Sequence, residues 1–322
     1  MTGRRPTLDE VAARAGVSKA TASKVLNDRP GVSAATRRRV GQVIHDLGYA
    51  LSTAPARPST RTVTAVFDSL SNLYALRVLE GAIGEAAANG VDLVTASGSV
   101  DPRTVAAKGH LGLLVVTAPV PAADLPLVAV DPPQAVDATV VSIGSHHWTG
   151  GLQATSHLLT LGHRRIAFVG GSPTNAGLRE RFGGYREAHE AAGVPLDPAL
   201  VSQEGIGSGE RVAAALLSRP SRPTAIFATT DGDAFAAIRA AHRAGLRVPA
   251  DVSVVGYDDT YATIPASIHL LTTVSTPMHD IGRLALRTLL DLAAGEEPVS
   301  RHIRLATRLI ARETTAPPPP RP

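Results

Sequence analysis

The chain contains no cysteine, which excludes disulfides, thiolate nucleophiles and cysteine-ligated zinc from its chemistry. Aromatics are scarce at 3% of 322 residues, with one Trp and five each of Tyr and Phe. Ala, Val and Leu must therefore carry most of the packing. No apolar run is long enough to span a bilayer. The first residues, Met1-Thr2-Gly3-Arg4-Arg5-Pro6, carry charge with no apolar stretch behind it, so they do not read as a secretory signal. A cytoplasmic chain is the expectation. What is present is a hydrophobic fraction of 44% against 19% charged, enough for a packed core. The length suits one small domain beside a larger two-lobed body.

The net charge of +4 conceals an asymmetry. Residues 1–61 hold 11 Lys/Arg against 4 Asp/Glu, a net of +7, and the rest of the chain is at −3. A basic head on a mildly acidic body suits a polyanionic partner, although charge alone does not separate this from a basic solvated face.

Within the head, Thr7-Leu8-Asp9-Glu10 forms a capping box, in which the Thr7 hydroxyl caps the helix start and Glu10 reaches back to the Thr7 amide. The spacing predicts a first helix over 8–15 with Val11, Ala12 and Ala15 inward, ended by Gly16. Ser18 caps a second helix over about 19–27, which turns Ala22, Val25 and Leu26 inward and Lys19, Ala20, Ser23 and Lys24 outward, with Thr21 beside them. Ser33 caps a third helix with Val40, Val43, Ile44 and Leu47 as its apolar stripe, closed by Gly48. Three short helices around a tight helix-Gly-helix pair read as a helix-turn-helix domain, 1–49. A generic three-helix bundle has the same spacing. The short, polar, cationic outward face of the second helix, free of acidic side chains, favours a DNA reader that enters the major groove.

The run from Thr7 to Asn27, with Thr21-Ala22-Ser23-Lys24 in the second helix, resembles the N-terminal signature of the LacI/GalR family of bacterial repressors. The resemblance implies that Lys19, Ala20 and Lys24 read bases, while Thr7, Ser18, Thr21, Ser23 and Asn27 hold phosphates or helix ends. Lys24 stands where the family commonly has Arg, so the bidentate fork for guanine is missing. Residues 50–61 are rich in Pro, Ser and Thr and read as a hinge linker. The family's hinge folds into a short helix with a minor-groove leucine, but here that position falls at Pro58 or Ser59. Pro55 and Pro58 do not both fit inside a helix, whereas Arg57 and Arg61 remain able to contact phosphate or the minor groove.

From residue 62 to 322 apolar strand-like runs alternate with helical stretches. The expected strands are 62–67, 91–95, 112–116, 127–130, 140–143, 166–170, 225–228 and 252–257. The expected helices are about 75–89, 149–161, 179–192, 207–218, 231–244 and 278–294. This rhythm predicts an α/β body of two lobes, with parallel sheets covered by helices on both faces and a ligand site beyond the carboxyl ends of the strands. The segments Leu161-Gly162-His163-Arg164-Arg165, Arg181-Phe182-Gly183-Gly184-Tyr185, the run from Val248 to Thr260, and Leu271-Thr272-Thr273-Val274 are similar to the family's periplasmic-binding-protein-like sensing domain. That resemblance implies lobe crossings near 145 and 274, and effector contacts at Asp68, Ser69, Asp131, Arg181, Thr230 and Asp258. Asp and Arg at strand ends suit sugar hydroxyls through charge-assisted pairs. Thr230 stands where the family commonly has Asn. Tyr74 and Trp148 are candidate stacking faces for a sugar ring. Each residue also has a structural alternative: Asp258 a turn cap, Arg181 an ion pair with Glu180 or Glu187, and Trp148 a core position.

His146-His147, His157 and His163 match no compact metal motif and read as structural or surface residues. The glycine-rich segment 170–177 lacks the lysine of a phosphate loop. No catalytic pair and no cofactor site announces itself, and a free-standing sugar-binding protein would have no DNA-reading head. The segment 96–111 is short for the family, the end of the chain (316–322) is rich in proline, and no leucine heptad follows the body. The expectation is a homodimeric regulator on a pseudo-palindromic double-stranded operator, released by a sugar; a corepressor of non-sugar chemistry is the alternative.

Overall fold

The computed structural model describes residues 7–26, 30–47, 61–260 and 270–320. Asn27, Gly48, Pro55, Arg57, Pro58 and the hinge reading built on them lie outside the described residues. The chain divides into two compact units, Met1–Ser59 and Thr60–Pro322.

The first unit holds α1 (Leu8–Ala15), α2 (Lys19–Leu26) and α3 (Ala34–Asp46). The capping box of α1 is made in both directions: the Glu10 amide donates to Thr7 Oγ1 at 3.3 Å, and the Thr7 amide donates to Glu10 Oε2 at 2.8 Å. Gly16 ends α1 at φ 61°, a left-handed conformation that costs glycine nothing. Ser18 and Ser33 accept the Thr21 and Thr36 amides at the starts of α2 and α3. Val11, Ala12, Ala15, Ala22 and Val40 form the core, with Val17, Val25, Val43, Ile44 and Leu47 packed against it.

The second unit is built on two sheets. The first lobe contains β1 (Arg61–Phe67), β2 (Val91–Ser97), β3 (Leu113–Val116), β4 (Leu127–Val130), β5 (Val141–Ser145) and β10 (His302–Leu305), all parallel, in the order β10-β5-β4-β3-β1-β2. The second lobe contains β6 (Ile166–Val169), β7 (Ala225–Ala228), β8 (Ser253–Asp258), β9 (Thr272–Ser275) and β11 (Arg308–Ile310), in the order β11-β9-β8-β7-β6, with only β11 antiparallel. Helices α4 (Leu73–Ala88), α5 (Pro102–Ala107) and α10 (Met278–Ala293) cover the first sheet. Helices α6 (His147–Thr160), α7 (Ala176–Ala191), α8 (Gly209–Leu217) and α9 (Asp231–Arg243) cover the second. The short 96–111 segment accommodates only the six residues of α5. Beyond the crossings expected near 145 and 274, a third passage runs from β10 in one sheet to β11 in the other. Among the described residues no helix is long and apolar enough to cross a membrane.

Glycines set two close helix contacts. A Cβ on Gly151 or Gly184 would collide with backbone of the opposite helix at the α6–α7 contact, and Gly81 and Gly282 do the same at α4–α10. The first pair matters for the site, because it fixes α7, which carries Arg181, against α6, which opens at His147. The proline-rich end of the chain docks on the second lobe. The Ala316 amide donates to Ser253 Oγ at 3.0 Å, and the Ala316 carbonyl lies 2.9 Å from His163 Nε2.

Candidate functional site

The carboxyl ends of both sheets face one another across a cleft of about 410 Å³. A parallel sheet leaves such a crevice beyond its strand ends, where loops from distant parts of the chain converge. Four non-glycine residues among those described have a left-handed backbone: Thr117 (φ 50°), Asp131 (φ 39°), Asp258 (φ 100°) and Asp259 (φ 56°). All follow or end strands, and Thr117, Asp131 and Asp258 line the cleft. Each costs about 1–3 kcal/mol, a strain that surrounding contacts hold in place and that collects at ligand sites.

Asp131 lies at the end of β4. Its Oδ1 is 3.1 Å from His147 Nε2 and accepts the Ser145 amide at 3.3 Å, and its Oδ2 accepts the Tyr74 hydroxyl. Burial pushes the Asp131 carboxyl up, but His147, Tyr74 and Arg304 outweigh it and hold the group below the ordinary carboxylate range. Burial, with the Asp131 charge beside it, lifts the Tyr74 phenol well above its usual value, so Tyr74 stays a hydrogen-bond donor.

From the second lobe, Arg181 sits 6% exposed on α7. It pairs with Asp258 at 3.3 Å, donates to the Thr229 carbonyl, and places its guanidinium 3.6 Å above the Tyr257 ring. Burial raises the Asp258 carboxyl despite that cation, and Asp258 in turn helps keep Arg181 charged against its own burial. Thr230 caps α9 by accepting the Asp233 amide at 3.1 Å. Asp68, just after β1, is exposed at the cleft wall.

Six of the expected effector residues therefore line one cleft: Asp68, Tyr74, Asp131, Arg181, Thr230 and Asp258. Arg181 has Asp258 as its partner rather than Glu180 or Glu187. Two residues go elsewhere. The Ser69 hydroxyl turns to Ser71 at 2.7 Å and is not part of the cleft wall. Trp148 is a correction to the stacking role: it lies on α6 with its indole against Gly183 of α7, away from the lining. Its neighbour His147 takes the cleft position, and consecutive helical residues point about 100° apart. Tyr74 joins the network through its hydroxyl, which donates to Asp131. Sequence reasoning missed His147, Arg304 and Asp231. Arg304 on β10 lies 3.7 Å from Asp131 and 3.8 Å from Glu180, so it reaches from one lobe to the other. The Asp-Gly-Asp after Thr230 was the available signal for Asp231; a histidine doublet and an arginine in a polar strand carried none.

On the head, Ser18, Lys19, Ala20 and Lys24 are exposed along α2 and Thr21 and Ser23 are half-buried. Lys19 Nζ lies 2.8 Å from Asp9, both well exposed, and Ser18 Oγ lies 2.9 Å from Thr21 Oγ1. An exposed pair of this kind is worth little.

Residues 7–52 match a family described as bacterial regulatory proteins, lacI family, and residues 155–315 match a periplasmic binding protein-like domain. The HTH-type transcriptional regulator CelR of Thermobifida fusca is 35% identical, covering 97% of this chain and 98% of its own. The HTH-type transcriptional regulator DegA of Bacillus subtilis (strain 168) is 31% identical, with 97% and 99% covered. Among solved structures, a transcriptional regulator CelR–cellobiose complex superposes with a TM-score of 0.72 at 33% identity over 96% of this chain and 100% of that one. A lac repressor dimer bound to operator and the anti-inducer ONPF superposes with a TM-score of 0.70 at 26% identity over 97% and 100%.

Proposed function

Since the chain belongs to the LacI family of bacterial regulatory proteins, a family of DNA-binding transcriptional regulators, we propose that it is a cytoplasmic repressor of carbohydrate-utilisation genes, released from its operator by a sugar bound between the two lobes. The observation that carries the reading is the cleft itself. Carboxylates of Asp68, Asp131 and Asp258 and the guanidinium of Arg181 converge there from both lobes. Such groups accept from and donate to the vicinal hydroxyls of a polyol, each through a charge-assisted bond. The volume of about 410 Å³ falls in the ordinary range of small-ligand sites. A relative of the same architecture was solved with cellobiose, which makes a β-linked disaccharide the first ligand to try.

Two heads in a homodimer match the two halves of a pseudo-palindromic operator, with α2 of each in the major groove. Lys19, Ala20 and Lys24 are assigned to base edges, and Thr7, Ser18, Thr21, Ser23, Asn27 and Arg57 to the backbone. Release follows from differential binding: an effector that prefers the DNA-free state a hundredfold shifts the equilibrium by about 2.7 kcal/mol. Calorimetry of the intact chain against cellobiose, other disaccharides, monosaccharides, phosphorylated sugars and purines tests the reading. Saturable uptake of an uncharged sugar is expected. Uptake of a purine or sugar phosphate alone, or of nothing in the panel, overturns the sugar reading.

A further inference from the structure

We propose that His147 is the positioning residue that joins the two halves of the effector site, holding Asp131 of the first lobe and Arg181 of the second in one chain of hydrogen bonds. The inference rests on the reading of the cleft as the effector site. His147 opens α6 directly after β5, at the first passage of the chain from one lobe to the other. The residue is 4% exposed and borders the cleft. Both of its ring nitrogens are committed. Nε2 lies 3.1 Å from Asp131 Oδ1. Nδ1 faces Nε and Nη2 of Arg181, each at 3.3 Å.

Elementary donor and acceptor counting fixes the roles. A guanidinium has only donors, so Nδ1 must offer its lone pair to Arg181. The proton then sits on Nε2 and is donated to the Asp131 carboxylate. Ser145 Oγ lies 3.3 Å from Nδ1, and its hydroxyl rotates to suit the tautomer that Arg181 sets. Room for this arrangement comes from Gly177 in the first turn of α7, where a Cβ would stand 3.0 Å from Nε2. The chain continues at both ends. Tyr74 of α4 donates to Asp131, and Arg181 pairs with Asp258 at the end of β8. A hydroxyl that engages the carboxylate on one lobe thereby acts on the guanidinium of the other, through a single imidazole at the joint. A histidine present only to fill the core would meet apolar neighbours; this one meets a carboxylate, a guanidinium and a hydroxyl.

The test uses the intact chain and two variants. His147→Gln retains a donor for Asp131 and an acceptor for Arg181, whereas His147→Leu retains neither. Without ligand, the ¹⁵N spectrum of the His147 imidazole should show Nε2 protonated and Nδ1 bare. In the same unliganded protein, the midpoint shifts of Asp131→Asn and Arg181→Lys should be non-additive, and they should become additive in the His147→Leu background. In calorimetry with cellobiose, His147→Leu should bind about tenfold or more weaker, and His147→Gln within about threefold of the unchanged chain. A protonated Nδ1, non-additivity that survives His147→Leu, undiminished binding by the Leu variant, or a folded Gln variant as weak as Leu each overturns the proposal. If the unchanged chain takes up no cellobiose, the effector reading for that sugar falls, and the spectrum and the midpoint coupling still decide whether His147 joins the lobes.

Discussion

Raising the pH from about 5 to about 8 should cost this protein stability through one side chain, Asp231, which opens α9 beside the cleft. The residue is 2% exposed. Its Oδ1 accepts the Thr273 hydroxyl at 2.6 Å, and its Oδ2 accepts the Thr260 amide at 2.8 Å and hydroxyl at 3.2 Å. Those donors favour the charged form, but burial outweighs them, and the neighbouring charges of Asp258 and Asp259 add to it. The carboxyl is raised from 3.8 to about 7. The sign follows from proton binding. An unfolded Asp titrates near about 3.9, so between that value and about 7 the folded state holds a proton that the unfolded state has released. The stabilisation is fully present below the unfolded value and is lost as pH rises through the folded one. At about 1.36 kcal/mol per pKa unit, the loss between pH 5 and pH 8 comes to about 2–3 kcal/mol. Asp231→Asn keeps the shape and never ionises. Urea unfolding followed by circular dichroism, on both proteins at both pH values, isolates this one group. The variant should gain on the unchanged chain by about 2–3 kcal/mol at the higher pH. Parallel stability curves for the two proteins would mean that Asp231 does not titrate between these pH values.

Three further outcomes follow from other parts of the structure. Arg181→Ala or Asp258→Ala should abolish the response to cellobiose while leaving operator affinity in place, as read by titrating labelled duplex with and without the sugar. A normal response in either variant removes that residue from the effector site. Lys24→Ala should relax base preference at one position of each half-site, at a cost of about 1–3 kcal/mol; an equal loss on every sequence would make Lys24 a phosphate contact only. Gly184→Ala drives a methyl into the Trp148 carbonyl across the α6–α7 contact and should lower stability by about 1–3 kcal/mol in thermal unfolding, against the usual helix gain of Gly→Ala. A more stable variant would mean the two helices part without cost.

Local signals made the head legible. The Thr7–Glu10 box and Gly16 mark both ends of α1 within the sequence, and Thr7, Glu10 and Gly16 close the capping hydrogen bonds in the fold. The buried parallel strands were legible as well, because strands covered on both faces read as continuous apolar runs such as Leu113–Val116 and Ala225–Ala228. Strands β10 and β11 were not, since His302–Leu305 and Arg308–Ile310 are short edge strands with no fully buried residue, and β10 alternates polar with apolar. They carry the third passage between the lobes, and with it Arg304. Asp131, Arg181 and Asp258 stood out through their resemblance to a known pattern. The partner that links them did not, because the meeting of His147 with Arg181, 34 residues away, is made by packing around Gly151, Gly177 and Gly184 rather than by any spacing in the chain. Trp148 was misplaced for the complementary reason: adjacent residues on a helix face different ways, and only one of the pair can face the cleft.

Coupling between the reading of a DNA sequence and occupancy of the cleft is tested by selecting duplexes from a random pool with the intact protein and titrating the recovered duplex with and without cellobiose. A pseudo-palindromic site should be enriched, and its affinity should fall when the sugar is added. Recovery of no preferred sequence, or of a preferred sequence whose affinity ignores every ligand that the cleft binds, would rule that coupling out.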